Sequence, residues 1–101
     1  MSDMFGFWIS ETALPGAGKK EALIIKHDSF QEGRQPPIEC TFSQNDDDII
    51  INFVGPFGDK LEYIVNVQGD KLLLGFSNDA GKRVQQSYIR ISKEEAQPYL
   101  K

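Results

Sequence analysis

The residues best suited to nucleophilic chemistry in this chain are its single cysteine, Cys40, and its single histidine, His27. A thiolate–imidazole pair would form only if their two strands were neighbours and the side chains faced each other. Cys40 alternates with Ile38 and Phe42 in the segment IECTFSQ, so we expect it on the buried side of a strand, where a thiol is inert and its pKa rises. His27 is expected at an exposed strand end. The pattern therefore favours a small buried thiol over a catalytic pair.

Three other kinds of segment contain groups used in phosphate, metal or acid–base chemistry. Pro15–Lys20 (PGAGKK) has the glycines and lysine of a phosphate-binding loop, but Ala13 stands where that motif requires its first glycine. Asp46–Asp48 offers oxygen ligands for calcium, but consecutive residues that enter a strand point in opposite directions. Asp59 and Asp70 each follow a glycine at a hairpin tip, which turn chemistry explains. We therefore predict no catalytic residue, no metal site, no cofactor and no enzymatic activity.

The element that organises the chain is a β-hairpin over Lys60–Ser77 (KLEYIVNVQGDKLLLGFS). Two runs rich in Val, Leu, Ile and aromatic residues flank Gly69-Asp70, a two-residue connection typical of a tight primed turn. Such a loop fixes the register and pairs apolar residues across the two strands: Val67 with Leu72, Val65 with Leu74, and Tyr63 with Phe76. The other face is mainly polar, so the hairpin predicts a sheet with one face on a core and the other towards solvent.

Further strands are predicted on both sides of the hairpin by their apolar, aromatic and β-branched content, by alternation in some of them, and by the turn residues between them. They are Phe5–Glu11, Glu21–His27, Ile38–Gln44, Asp48–Val54 and Lys82–Ile91. Phe30–Pro37 is interpreted as a loop or a short edge segment, because Gly33 and two consecutive prolines interrupt it. Ser92 and Glu95 have the spacing of a capping box and predict a short helical turn that ends at Pro98.

These elements predict one all-β domain over residues 1–101. We expect an antiparallel meander of about seven or eight strands that forms a small barrel, with a short C-terminal helical turn. The side chains predicted to point inwards are Trp8, Leu23, Ile25, Ile38, Cys40, Phe42, Ile49, Ile51, Phe53, Leu61, Tyr63, Val65, Val67, Leu72, Leu74 and Phe76. They are large, so the interior of such a barrel is expected to be nearly filled.

Gly6-Phe7-Trp8 opens the first predicted strand, and Arg90 stands in the last. A Gly-x-Trp on the first strand, a run of antiparallel strands and a late arginine resemble the lipocalin or calycin-like barrels. In that family the tryptophan plugs one end of the barrel and the arginine packs over its ring, a favourable cation–π arrangement. The resemblance implies that Gly6, Trp8 and Arg90 form a structural plug. It also implies a carrier of a small hydrophobic ligand, although small lipocalin-like domains include protease inhibitors.

Composition and charge narrow the classes of partner. The chain is 40% hydrophobic and 26% charged, as in ordinary globular proteins. Its net charge of −4 argues against nucleic acid, because binding to the phosphate backbone needs a clustered basic face. The longest apolar runs, such as Ile49-Ile50-Ile51, are too short for a membrane span.

Because Met1-Ser2-Asp3 lacks the features of an export leader, we expect either a cytoplasmic protein or an exported domain without its leader.

Several residues predicted to face outwards are apolar and define a candidate interface. They are Phe5, Phe7, Ile9, Ile64, Leu73, Ile89 and Ile91. The alternative is that the C-terminal residues Tyr99 and Leu100 cover this patch.

The sequence therefore predicts a non-enzymatic protein-binding module that acts through its loops or its outer sheet face. An inhibitor, an immunity-type partner and an accessory subunit all fit this description, and the partner would be another protein or a second copy of the chain. The alternative function is that of a carrier which holds a small hydrophobic ligand inside a lipocalin-like barrel. No ligand-binding residue is predicted for such a carrier.

Overall fold

The computed structural model describes residues 4–12, 19–77 and 83–100, which form nine strands and one helix. The strands are β1 (Gly6–Ser10), β2 (Ala22–Ile25), β3 (Ser29–Glu32), β4 (Ile38–Glu39), β5 (Thr41–Asn45), β6 (Asp48–Val54), β7 (Lys60–Gln68), β8 (Lys71–Ser77) and β9 (Arg83–Ile91), and the helix is α1 (Lys93–Leu100). The prediction of an all-β antiparallel barrel with a C-terminal helical element is confirmed. The predicted number of strands, seven or eight, is wrong, because there are nine.

Two segments account for the difference in strand number. β3 lies at the start of the stretch that the sequence pattern assigns to a loop, and its Phe30 is fully buried. A strand of four residues gives too short an alternation to be recognised beside the glycine and prolines that follow it. In addition, the predicted strand Ile38–Gln44 is divided at Cys40 into β4 and β5.

The sheet order is β4-β3-β2-β1-β9-β8-β7-β6-β5, an up-and-down meander in which the first and last long strands, β1 and β9, also pair. β4 and β5 are consecutive in the chain but lie at opposite ends of this order. The chain bends between them at Cys40, whose N–H donates to the carbonyl of Asp28 at 3.0 Å. The sheet therefore curls into a nearly closed barrel. The line where β4 and the end of β6 face each other without pairing is called the seam below.

The central hairpin has the register that its two-residue loop predicts. Val67 lies opposite Leu72, and Val65 lies opposite Leu74. Gly69 takes a positive φ of 63°, the conformation that a primed turn requires and that glycine adopts without strain. The expected pair of Tyr63 and Phe76 lies beyond the last rung of this ladder, but the two rings are 5.7 Å apart between centroids.

Every side chain of the predicted inward set except Leu61 either belongs to the buried core cluster or packs against it while partly buried, whereas Leu61 is 43% exposed. Leu61 has the correct alternation, but it lies at the seam, where no strand covers it. Sequence analysis misses Met4, Phe30 and Tyr88, which are all buried in the core cluster.

Strand β2 is buried on both faces, which explains why its sequence ALII does not alternate. Leu23 and Ile25 belong to the core cluster, while Ala22 and Ile24 are buried on the other face. Helix α1 contacts both β1 and β2. We infer that α1 covers the outer face of β2, so the short helix extends the core beyond the barrel.

The capping box at the start of α1 forms as predicted. The N–H of Glu95 donates to Oγ of Ser92 at 3.1 Å, and the N–H of Ser92 donates to Oε1 of Glu95 at 3.2 Å. The sequence predicts that Pro98 ends the helix, and this is wrong, because Pro98 lies inside it. Ala96 is fully buried. We infer that packing of the helical turn around Ala96 offsets the loss of the backbone hydrogen bond that Pro98 cannot donate. Within the three described ranges, no helix has the length and apolarity needed to cross a membrane.

Candidate functional site

Gly6, Trp8 and Arg90, which the sequence predicts to form a plug, lie together near the β7–β8 turn. The guanidinium carbon of Arg90 is 4.2 Å from the centroid of the Trp8 ring, within cation–π range. Arg90 also donates from Nη1 to the carbonyl of Phe5 at 3.1 Å, and the indole N–H of Trp8 donates to the carbonyl of Met4 at 2.9 Å. The two side chains therefore fix the positions of Met4 and Phe5, the residues that precede β1.

Gly6 makes this arrangement sterically feasible. Its φ is 131°, a value that residues with a side chain rarely adopt, and a Cβ at this position would lie 3.1 Å from Nη1 of Arg90. Trp8 is fully buried, and the hydrogen bonds of Trp8 and Arg90 to Met4 and Phe5 hold parts of the chain to one another. The geometry therefore describes a structural device and not a binding pocket.

The outward apolar patch that the sequence predicts is partly assembled on β1 and β9. Phe7 pairs with Ile91, and Ile9 pairs with Ile89, so the four side chains share one region of the outer surface. Ile89 is 45% exposed, whereas the other three are half-buried.

The remaining members of that predicted patch lie elsewhere. Ile64 and Leu73 are half-buried and line a separate shallow groove on the β7–β8 hairpin. Phe5 does not face outwards with the β1 residues but packs on the core, with its ring 5.8 Å from that of Phe42. The positive φ of Gly6 breaks the strand geometry, so the alternation of β1 does not extend to Phe5.

A second apolar surface, which sequence analysis misses, lies at the seam. β5 pairs with β6 up to Thr41 and Asn52. The same register continued by two residues would set Glu39 opposite Val54. Among the described residues this rung is not formed, because the hydrogen bond of Cys40 holds β4 on β3 instead. The barrel is therefore open along this short stretch.

The open seam forms a groove of about 520 Å³. Apolar side chains of Phe53, Val54 and Leu61 line it, together with the charged Asp28, Glu39 and Lys60. Val54 is 60% exposed although β-branched residues of strands usually pack against neighbours. Exposed apolar area beside unpaired strand edges is the kind of surface that proteins use for contact with other chains.

Phe57 lies in the β6–β7 turn, which joins the groove residues Val54 and Lys60, and it is 91% exposed. The turn is closed by two backbone hydrogen bonds, from Gly55 N–H to the Asp59 carbonyl at 2.7 Å and from Gly58 N–H to the Gly55 carbonyl at 3.0 Å. A short hydrogen-bonded turn therefore presents a large apolar ring to solvent. We call the groove and this turn together the seam surface. The signal in the sequence is a phenylalanine between turn formers, in GPFGD.

A polar group inside the barrel is a second feature that sequence analysis misses. Glu32 has the same inward alternation as Phe30, and burial raises its pKa although a hydrogen bond with Tyr63 opposes the shift. The neighbouring carboxylate of Glu21 raises the pKa of Glu32 further. Burial also raises the pKa values of Tyr63 and Tyr88, so both phenols stay protonated at neutral pH.

Aromatic rings pack around Tyr63, the hydrogen-bond partner of Glu32. Phe30, Phe53, Tyr63 and Phe76 form a chain of ring contacts with centroid separations of 4.8 to 5.7 Å. Buried carboxyls with raised pKa values often mark functional sites, but structural networks raise them as well. Here the close ring packing favours a structural carboxyl that accepts a hydrogen bond from a tyrosine.

The candidate nucleophile pair is not assembled as a catalytic site. Cys40 is half-buried, and burial raises its pKa to about 11, so the thiol is protonated at neutral pH. The side chain of His27 is exposed and lies 3.6 Å from Asp28. In the part of the chain that the structure describes, no three His, Cys, Asp or Glu side chains converge to hold a metal ion. Residues 13–18, which include most of the glycine-rich segment, lie outside the described residues.

Comparisons with protein-family models, with curated proteins and with solved structures find no significant match to this chain.

Proposed function

We propose that this protein is a non-enzymatic protein-binding module that acts through the seam surface. The observation that carries the proposal is that the exposed Phe57 lies in the turn which joins two residues of the open groove, Val54 and Lys60. Aromatic residues at the centre of an interface contribute a large share of binding energy, because they bury much area with little loss of conformational entropy. A hydrogen-bonded turn adds to this, since its conformation is fixed before binding.

At the level of family, we propose that the chain is a reduced lipocalin or calycin-like barrel. The antiparallel meander and the stacking of Arg90 over Trp8 support this assignment. Such a relationship would make the plug a structural feature, and it leaves the outer surface free to take on binding functions.

A carrier of a small ligand in the barrel is the second candidate. The inward polar group of Glu32, Tyr63 and Tyr88 favours it, because ligand sites in barrels usually combine an apolar wall with a few polar groups. The rings packed around Tyr63 count against it, since a ligand would have to displace them.

The two candidates are separated by a fluorescence titration. Trp8 is the single tryptophan, so energy transfer from it to an environment-sensitive fatty-acid or naphthalene-sulfonate probe reports on occupation of the barrel. We expect no saturable transfer. Saturable transfer at one probe per monomeric chain would favour the carrier.

The protein-binding function is tested by using the chain as bait in extracts of its source. The wild-type chain is compared with Phe57→Ser and with Ile89→Ser, which removes a smaller exposed apolar area on β9, since Ile89 is 45% exposed. We expect the wild-type chain and Ile89→Ser to capture protein, which can be another protein or further copies of the chain itself. We expect Phe57→Ser to lose this capture. Equal capture by all three would contradict a role for the seam surface.

A further inference from the structure

We propose that the seam surface binds a second copy of this chain, with Phe57 of each copy inserted into the seam groove of the other. This inference rests on the proposed function, because it names the partner of the same surface. The resulting dimer would have a twofold axis that passes between the Phe57 turn and the groove.

Self-complementarity of the surface is the first argument. In a twofold dimer the same patch must serve both chains, so a projection and the recess that accepts it have to lie on one patch. The seam surface meets this requirement, since Phe57 is 91% exposed and the adjoining groove measures about 520 Å³. The groove walls that would receive the ring include Val54 and Leu61, which are 60% and 43% exposed. Insertion would remove all three apolar side chains from water.

Charge complementarity is the second argument. Lys60 lines the groove from β7, three residues after Phe57, whereas Asp28 and Glu39 line it from the β3–β4 side. A twofold rotation about the proposed axis exchanges the two sides. It therefore brings Lys60 of one chain towards Asp28 and Glu39 of the other, twice in each dimer. Opposite charges at these positions favour this orientation over others.

The charges also argue against a membrane surface as the occupant. Phe57 at a turn tip could enter a lipid interface, but Asp59 belongs to the same turn, and two carboxylates, Asp28 and Glu39, line the groove against one lysine, Lys60. An anionic leaflet would repel this acidic rim. An extended segment of another protein could instead pair with the unpaired backbone of Val54 at the seam, and this outcome is separated from dimerisation by the test below.

Sedimentation velocity of the full chain over a concentration series gives the first test. We expect a monomer–dimer equilibrium, and we expect Phe57→Ala to raise the dissociation constant by roughly tenfold or more. Ile89→Ala is the matched control, because β9 lies on the side of the barrel opposite the seam, and it should leave the constant unchanged. Urea unfolding followed by Trp8 fluorescence verifies that each variant is folded. A wild-type chain that stays monomeric up to about 0.5 mM would overturn the inference.

Mixing of charge variants gives a more specific test. Lys60→Glu alone should weaken the dimer, because two new carboxylates face Asp28 and Glu39. The double variant Asp28→Lys, Glu39→Lys should weaken it as well, because its lysines face Lys60. An equimolar mixture should form heterodimers, since both contacts then join opposite charges. If the mixture associates no better than the separate variants, the proposed orientation is wrong.

Failure of this inference is distinguishable from failure of the proposed function. A monomeric chain that still captures another protein through Phe57 keeps the protein-binding function and replaces the partner. A dimer that is lost with Ile89→Ala but not with Phe57→Ala would move the interface to β1 and β9 and contradict the use of the seam surface by a second copy.

Discussion

Arg90 is expected to stabilise the fold more than any exposed charge of the barrel, and Arg90→Met tests this. The substitution keeps much of the apolar stem but removes the guanidinium, which lies 4.2 Å from the Trp8 ring and donates to the Phe5 carbonyl at 3.1 Å. Cation–π contacts contribute about 0.5 to 2 kcal/mol. A hydrogen bond from a charged donor contributes about 1.5 to 3 kcal/mol, with the lower part of that range appropriate to a half-buried site.

Together these contacts predict a loss of about 2 to 3 kcal/mol in the free energy of unfolding, allowing for non-additivity. For a domain of this size that loss lowers Tm by roughly 10 to 20 °C. The assay is urea and thermal unfolding, each followed by the fluorescence of Trp8. Trp8 is a suitable reporter because the guanidinium of Arg90 contacts its ring in the folded state. Arg90→Lys keeps the charge without the planar group and should fall between wild type and Arg90→Met.

Asp70→Asn is the matched control. Asp70 lies 3.6 Å from Nε of Arg90, but its side chain is 86% exposed, so the ion pair should contribute little. We expect this variant to unfold within about 0.5 kcal/mol of wild type. If Arg90→Met also unfolds within that margin, the stacking and the hydrogen bond to Phe5 do not stabilise the barrel, and the account of the plug is refuted.

Three further predictions concern single positions. Gly6→Ala should cost about 1 to 3 kcal/mol in unfolding free energy, because its φ of 131° is strained for alanine; a chemical denaturation midpoint equal to wild type would contradict this. Glu32 has a raised pKa in the folded state, so its contribution to stability is complete below its unfolded pKa and falls as pH rises through the folded value. Glu32→Gln should therefore raise Tm near neutral pH and give no gain in acid, and a pH-independent effect would exclude the proposed ionisation. Cys40, with a pKa raised to about 11, should react slowly with iodoacetamide at pH 8 and quickly once urea unfolds the chain, as followed by mass spectrometry; equal rates would show an exposed thiol.

The central hairpin and most of the core could be predicted from the sequence because their signals are local. A two-residue turn at Gly69-Asp70 fixes the register of β7 and β8, and strict alternation then assigns each side chain to a face. The Gly-x-Trp motif and the late Arg90 likewise mark two positions that the fold brings together.

The seam could not be predicted, because it results from a competition between distant strands. The segment around Cys40 alternates as one strand, yet its first part pairs with β3 and its second part with β6. Which partner each residue takes depends on hydrogen bonds to residues far away in the chain, such as that from Cys40 to Asp28. The inward position of Glu32 could not be predicted for a different reason. Core-facing positions are identified by an apolar pattern, and a glutamate does not fit that pattern.

Exposure of Phe57 could not be predicted either. The residues GPFGD indicate a turn, but local sequence does not tell whether a ring at its tip folds back onto the barrel or faces solvent. The structure leaves this ring 91% exposed beside the open groove. We therefore propose the seam surface as the interface, in place of the outward apolar residues that the sequence predicts.

The most direct test of the seam surface is photo-crosslinking from position 57. A benzophenone amino acid replaces Phe57 in one chain and Ile89 in another, both of which are exposed, and each chain is irradiated in its cellular source. We expect a covalent adduct with protein from position 57 and none from position 89. An adduct of about twice 11.4 kDa would identify a second copy as the partner, whereas a different mass would identify another protein. If position 57 gives no adduct while position 89 gives one, the protein does not act through the seam surface.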